Sequence, residues 1–181
     1  MKGVIFNLLE EVVEEEYGPD TWDGLLQGAG LDGAYSALGT YPDEELFRLI
    51  GAASSVTGQE PDEIVRWFGR QSLPKLARRY PEFLAPHRTT RAFLLTLNEV
   101  IHPEVRKLLP GAEVPTFAFD ASQEDILAID YRSSRRLCAL AEGFIQGAAT
   151  CYGEEVSIAQ SECMKRGDER CLLLCCFAEQ A

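Results

Sequence analysis

Apolar residues at helical spacing dominate the first half of the chain. Between Val4 and Tyr17 they recur every three or four positions, while five glutamates take mostly the opposite face, which predicts an amphipathic helix. Three further helices are expected: one capped by Asp20 and ended by Gly28 and Gly30, one capped by Asp43 and closed by Gly58, and one running from Pro61 to about Phe68.

An interrupted helix is expected around His102. A looser segment with several prolines, residues 74–86, separates the first helices from an apolar helical run that ends at this histidine. Pro103 disfavours α geometry in the residue before it, so we predict a break or kink at His102 itself. A new helix can begin there, with Pro103 in its first turn and an apolar face formed by Val105, Leu108 and Leu109.

The pattern changes from helical period to alternation after Gly111. Residues 114–119 and 126–133 are predicted to be strands, residues 137–151 a helix, and residues 156–164 and 170–177 a hairpin that turns at Arg166-Gly167-Asp168. No internal repeat, low-complexity tract or linker separates the two halves. The sequence therefore predicts one α+β domain, with helices first and a small antiparallel sheet afterwards.

Composition narrows the classes of function. Hydrophobic residues make up 46% of the 181 residues, which excludes a disordered chain and suits one domain with a substantial core. The formal net charge of −12 argues against binding to nucleic acid or to anionic membranes, because both need a basic surface. With no secretory signal and no apolar run long enough to span a bilayer, we predict a cytoplasmic protein.

Two sets of polar residues carry candidate chemistry. His102 ends an apolar helix, where it is either a core residue or an axial ligand to a metal cofactor. Strand alternation brings Tyr131, Ser133 and Arg135 to one side, a combination that suits a carboxylate or a phosphate. Pairing of Arg135 with an acidic residue of this chain is the alternative. The other histidine, His87, is expected on the surface.

Together these residues resemble the haem nitric oxide/oxygen binding (H-NOX) family, which is related to the haem domain of soluble guanylate cyclase. The resemblance covers the whole chain and includes Met1-Lys2-Gly3-x-Ile5, the run Gly18 to Trp22, Gly69-Arg70-Gln71, His102, Gly111-Ala112, Pro115 and Tyr131-x-Ser133-x-Arg135. It implies that haem b is buried between a distal subdomain of about residues 1–65 and a proximal subdomain of about residues 66–181.

The resemblance also implies a role for each motif residue. His102 would be the proximal ligand of the haem iron, and Tyr131, Ser133 and Arg135 would hold the haem propionates. Pro115 would press on the macrocycle and distort it. When nitric oxide binds opposite His102, the bond between iron and histidine would weaken and the helical half would shift against the sheet half.

Ligand choice is expected to follow from the distal side of the haem. Oxygen-binding members of the family place a hydrogen-bonding tyrosine where this chain has Leu140, and the resemblance places Ile5 and Leu9 on the same wall, with Ser72 as a candidate polar group. Bound dioxygen needs a donor, whereas nitric oxide and carbon monoxide do not. We therefore predict a nitric oxide sensor that excludes oxygen and also binds carbon monoxide.

The sensor is expected to act on a separate protein. Usual partners of such domains are a sensor histidine kinase or a cyclic-di-GMP enzyme, either a diguanylate cyclase or a phosphodiesterase. No phosphate loop or catalytic triad is found, so no enzymatic activity is predicted. Two alternatives stay open: a haem-free adaptor related to vinyl-reductase-like regulatory domains, and a haem enzyme, which would need polar distal groups.

The cysteines form a second candidate site. Six cysteines without a secretory signal favour reduced thiols or metal ligands over disulfides. Cys163 and Cys171 are expected to face each other across the hairpin, with Cys138 nearby. Some family members bind zinc with four cysteines in this region, but Gln160 stands where the fourth would fall. Cys151 and Cys175 are too distant to replace it, so zinc and reduced structural thiols both remain open.

Overall fold

The computed structural model describes residues 1–179. Four long helices come first: α1 (Gly3–Tyr17), α2 (Pro19–Ala29), α3 (Asp43–Thr57) and α4 (Pro61–Arg79). Shorter elements follow: α5 (Pro81–Leu84), α6 (Thr90–Leu94), a π-helical turn (Leu97–Ile101) and α7 (His102–Leu108). The C-terminal half comprises β1 (Thr116–Asp120), β2 (Ile126–Arg132), α8 (Cys138–Tyr152), β3 (Glu154–Glu162), a 3-10 turn (Met164–Arg166) and β4 (Cys171–Glu179). The predicted α+β fold is confirmed.

The four strands form one antiparallel sheet in the order β1-β2-β4-β3. Alternation buries Leu127, Ile129 and Tyr131 of β2 on one face of the sheet. The expected hairpin of β3 and β4 is present, with an irregularity in β3 between Gln160 and Glu162. The sheet thus presents one apolar face to the rest of the molecule.

Two hydrophobic cores share the interior. One joins α1, α2 and α3, and the other joins the sheet to α6 and α8. Both α4 and α8 contribute to the two cores, so the subdomain boundary near residue 65 stays a prediction. Among residues 1–179, no helix is both long and apolar enough to cross a membrane.

Helix α4 is eleven residues longer than predicted, because Pro74 does not end it. Proline removes one backbone N–H and displaces the carbonyl four residues earlier, here that of Arg70. Gly147 of α8 leaves room for this carbonyl, since a Cβ at Gly147 would lie 2.8 Å from the Arg70 oxygen. Packing against α8 therefore outweighs the local cost of the proline.

Two predicted helix caps are wrong. The residue before α2 is Gly18, and Asp20 lies in the first turn of the helix instead of at its cap. Likewise Asp43 is the first residue of α3, and its side chain makes no capping hydrogen bond. Both carboxylates still lie near the positive end of a helix dipole, which explains why acidic residues occur at these helix starts.

The irregularity at His102 lies one residue earlier than predicted. His102 itself has α-helical dihedral angles, φ −67° and ψ −37°, and begins α7. The segment before His102 forms a π-helical turn that ends at Ile101. Pro103 cannot donate a backbone hydrogen bond, and a widened turn before it accommodates that missing N–H. Turns of this kind are frequent at functional sites.

Candidate functional site

A cavity of about 350 Å³ lies between the helical half and the sheet half of the molecule. Residues of both hydrophobic cores line it. Its lining is mainly apolar and includes Ile5, Leu97, Ile101, Phe117, Leu140 and Phe144. Such a cavity suits a ligand with a large apolar body, held in orientation by a few polar groups.

His102 lies on one wall of this cavity and is half-buried. Its imidazole stacks on the ring of Phe117, with centroids 5.6 Å apart and an angle of 28° between the planes. Burial, with a smaller contribution from the charge of Arg106, lowers the pKa of His102 to about 4. The imidazole is therefore neutral at pH 7, and a neutral imidazole is the form that donates a lone pair to iron.

Three polar residues of the predicted motif line the same cavity. Tyr131 is buried at the end of β2, and Ser133 and Arg135 follow in the loop before α8. Burial raises the pKa of the Tyr131 phenol to about 12, so this group keeps its proton and remains a donor. The backbone N–H of Arg135 donates to Ser133 Oγ at 3.2 Å, which fixes the loop that carries the guanidinium.

The guanidinium of Arg135 binds two carboxylates across the chain. Its Nε donates to Asp43 Oδ2 at 2.7 Å, and a second nitrogen lies 3.0 Å from Glu113 Oε2. Burial opposes ionisation of Asp43, but hydrogen bonds from the amino group of Met1 and from Arg135 outweigh it and lower the Asp43 pKa. The alternative that Arg135 pairs with an acid is thus realised here, by partners that the sequence pattern did not indicate.

A family model described as Haem-NO-binding matches residues 2–160. The chain belongs to the Haem-NO-binding family. Members of this family are haem-based gas sensors, and the sensor domain is not itself catalytic. Over 99% of this chain and all of the other, the fold matches an H-NOX protein from Shewanella oneidensis in the Fe(II)NO ligation state, with a TM-score of 0.92 and 29% identity.

Other relatives agree with this assignment. The Fe(II) unliganded H-NOX protein from K. algicida matches with a TM-score of 0.88 and 25% identity, over 99% of this chain and 98% of that one. Soluble guanylate cyclase 89Db of Drosophila melanogaster is 26% identical over 141 residues, which is 75% of this chain. The chain spans about a fifth of the length of the curated cyclases that it matches.

The polar and apolar parts of the cavity fit a haem. The porphyrin body is flat and apolar, its two propionates are anionic, and its iron takes an imidazole nitrogen. His102 offers the neutral imidazole, while Tyr131, Ser133 and Arg135 offer hydroxyl and guanidinium donors that suit carboxylates. Pro115, which precedes β1, also lines the cavity. The donor set of this Haem-NO-binding domain therefore matches the cofactor of its family.

The predicted distal residues divide into two groups. Ile5 and Leu140 line the cavity and offer no hydrogen-bond donor from their side chains. Leu9 lies one turn further along α1, where it packs in the helical core outside the residues that line the cavity. Ser72 is fully buried, also outside that lining, and its hydroxyl has no partner within the described residues.

The cysteine cluster forms as predicted for three of the six cysteines. Sulfur atoms of Cys138, Cys163 and Cys171 all lie within 4.8 Å of one another, and all three residues are buried. Burial raises the pKa of Cys171 to about 12. At Cys163 burial acts in the same direction, but hydrogen bonds from backbone N–H groups, that of Lys165 foremost, outweigh it and lower the pKa. Within residues 1–179, the side-chain amide nitrogen of Gln160 has no hydrogen-bond partner.

Proposed function

We propose that this protein binds haem b in the cavity and senses nitric oxide, with His102 as the protein ligand of the iron. The proposal rests on one observation. The neutral, half-buried imidazole and the donors of Tyr131, Ser133 and Arg135 line the same cavity. Neither group alone would require a haem. Their convergence on one apolar cavity favours a haem over a core histidine and over a simple anion site.

The residues have distinct roles in this proposal. Bound ferrous haem would supply the iron at which a diatomic gas binds. His102 would supply the axial nitrogen, and Arg135, Ser133 and Tyr131 would orient the propionates. Glu113 is 72% exposed, so its carboxylate can leave Arg135 and return to water at little cost when a propionate binds. The apolar walls exclude water from the gas-binding face, and Pro115 would contact the macrocycle.

Selectivity for nitric oxide is supported by the side chains of the distal wall. Ile5 and Leu140 offer no donor to a bound oxygen molecule. Nitric oxide and carbon monoxide bind ferrous haem without such a donor, whereas a stable oxygen complex needs one. We therefore propose that the protein discriminates against oxygen and binds nitric oxide and carbon monoxide.

The output is proposed to be a change of shape that a partner detects. The π-helical turn and α7 carry His102, and both lie between the cavity and the molecular surface, where Val100 and Leu108 are exposed. A histidine kinase or a cyclic-di-GMP enzyme is the partner that we propose, in the cytoplasm. The protein itself would catalyse no reaction, in contrast to a haem enzyme that needs polar distal groups.

Visible absorption spectra test the cofactor, the ligand and the gas selectivity together. The reduced protein should show a five-coordinate ferrous haem, form a complex with nitric oxide, and form no stable oxygen complex in air. His102→Ala should lose histidine ligation, while the matched control His87→Ala should keep the wild-type spectrum. A protein that takes up no added haem would refute the haem proposal, and a stable oxygen complex would refute the selectivity.

The cysteine cluster supports a second hypothesis, a structural zinc ion. Three thiols within 4.8 Å of one another can supply three of the four ligands that structural zinc needs. Gln160 is an unusual fourth ligand, so the zinc hypothesis rests on the three thiols. Metal analysis of protein purified without chelator is the test, and one zinc per chain that is lost in Cys163→Ser is the expected result. A folded, zinc-free protein would favour reduced thiols.

A further inference from the structure

Asn98 connects the turn that carries His102 to the sheet. It lies in the π-helical turn, four residues before the histidine, and its side-chain amide donates to the backbone carbonyl oxygen of Phe117 at 2.8 Å. Phe117 belongs to β1, the strand at one edge of the sheet. A half-buried side-chain amide thus bridges two elements that are 19 residues apart in sequence.

The segment around this contact is only partly packed, with Ile101 in the core and Leu97 and Val105 half-buried against it. Within the π-helical turn only Ile101 is buried, and α7 has no buried residue. Pro103 removes a backbone donor directly after His102, so the helix ladder is weakest there. A specific hydrogen bond has a large influence on position where apolar packing is sparse, because fewer other contacts oppose a displacement.

Phe117 contacts the two groups that matter for the cofactor. Its ring stacks on the imidazole of His102, with centroids 5.6 Å apart, and also lies 5.6 Å from the ring of Tyr131. The side chain is only 9% exposed. The carbonyl group of this same residue accepts the hydrogen bond from Asn98. Asn98 and Phe117 therefore fix the imidazole relative to the sheet from two directions.

We propose that Asn98 is a positioning residue for His102. Its hydrogen bond to Phe117 ties the segment that carries the imidazole to the sheet, and with haem bound it would hold the bond between His102 and iron under strain. This inference rests on the proposed function, because it assumes that His102 is the iron ligand. Without the hydrogen bond, the turn can move with the imidazole, so the bond to iron should be stronger and should survive nitric oxide binding more often.

Substitutions at Asn98 in the full-length, haem-loaded protein test this role. Asn98→Leu removes the donor at similar volume, and Asn98→Asp keeps the shape but places a carboxylate against the carbonyl oxygen. The matched control is Glu99→Gln, at the adjacent exposed position. Both Asn98 variants should raise the frequency of the iron–histidine stretch in resonance Raman spectra, and Glu99→Gln should not.

The same variants should shift the nitric oxide complex towards the form that keeps His102 bound. A hydrogen bond between neutral groups changes such a ratio by about twofold to tenfold, which the absorption spectrum resolves. An unchanged or lower stretching frequency in both Asn98 variants would overturn the proposal. So would a shift in Asn98→Leu that Asn98→Asp does not share, because packing alone would then account for it.

Hydrogen exchange tests the positioning role of Asn98 independently of the proposed function. In His102→Ala, adding Asn98→Leu should increase exchange at residues 97–101 and in β1, because the link between them does not depend on haem. If His102 proves not to bind iron, the exchange result still shows whether Asn98 holds the turn on the sheet. Unchanged exchange in these segments would refute the positioning role whatever the cofactor.

Discussion

Helices α4 and α8 approach each other closely at glycine residues. Alanine should therefore destabilise the protein at a glycine in this contact and stabilise it at a helical glycine outside the contact. A Cβ at Gly143 would lie 2.2 Å from the carbonyl oxygen of Arg66 and 2.9 Å from Cα of Gly69. Close carbon–oxygen contacts occur at about 3.3 Å, so Gly143→Ala must separate the helices by roughly 1 Å. Overpacking of this kind costs about 1–3 kcal/mol, and the better helix propensity of alanine returns up to about 1 kcal/mol.

The expected result for Gly143→Ala is a net loss of about 1–2 kcal/mol in the free energy of unfolding, or roughly 2–8 °C in Tm. Gly51→Ala is the matched control, since Gly51 lies inside α3 and a Cβ there meets nothing within 4 Å. That change should stabilise by about 0.5–1 kcal/mol through helix propensity. Urea unfolding followed by circular dichroism measures both. Equal effects of the two substitutions would refute the packing argument.

Three further changes have defined outcomes. Because the folded pKa of His102 is lowered to about 4, the unfolded chain binds more protons between pH 4 and 6.5. The haem-free protein should thus lose stability as pH falls through that range, and urea unfolding of His102→Leu should show a smaller loss. Leu140→Tyr places a phenol donor in the cavity and should slow oxygen dissociation by about 10- to 100-fold in laser photolysis. Lys75 is 7% exposed and binds Glu11 and Glu15, so Glu11→Gln with Glu15→Gln should destabilise more than Lys75→Met in thermal unfolding.

Local pattern predicted the elements well where one face of each is buried. Alternation placed Leu127, Ile129 and Tyr131 on a common buried face, as observed. Helical period located α1 to within one residue at its start, because its apolar stripe is continuous. The geometry of Cys163 and Cys171 followed from symmetry of the hairpin about its turn, and their sulfur atoms lie 4.0 Å apart.

Features that depend on distant parts of the chain were not predictable from local pattern. The pairing of Arg135 with Asp43 joins residues 92 positions apart, and local rules assigned Asp43 to a helix cap. Pro74 signals a helix end, and only the neighbouring Gly147 of α8 explains why α4 continues. Likewise Pro103 indicated an irregularity, but not its form as a π-helical turn, whose Asn98 is bonded to a residue of β1 that is 19 positions away.

The way in which the two cores meet determines how movement at His102 can spread. Helices α4 and α8 contribute to both cores, and their backbones come into close contact at Gly69 and Gly143. Close contacts of this kind transmit a displacement from one helix to the other, because tightly packed interiors have low compressibility. At the cavity rim, the halves are joined by the mostly buried ion pair of Arg135 and Asp43, whose atoms lie 2.7 Å apart. A displacement of His102 is therefore opposed both by the Asn98 hydrogen bond to Phe117 and by the apolar walls of the cavity, which is where a bound cofactor would lie.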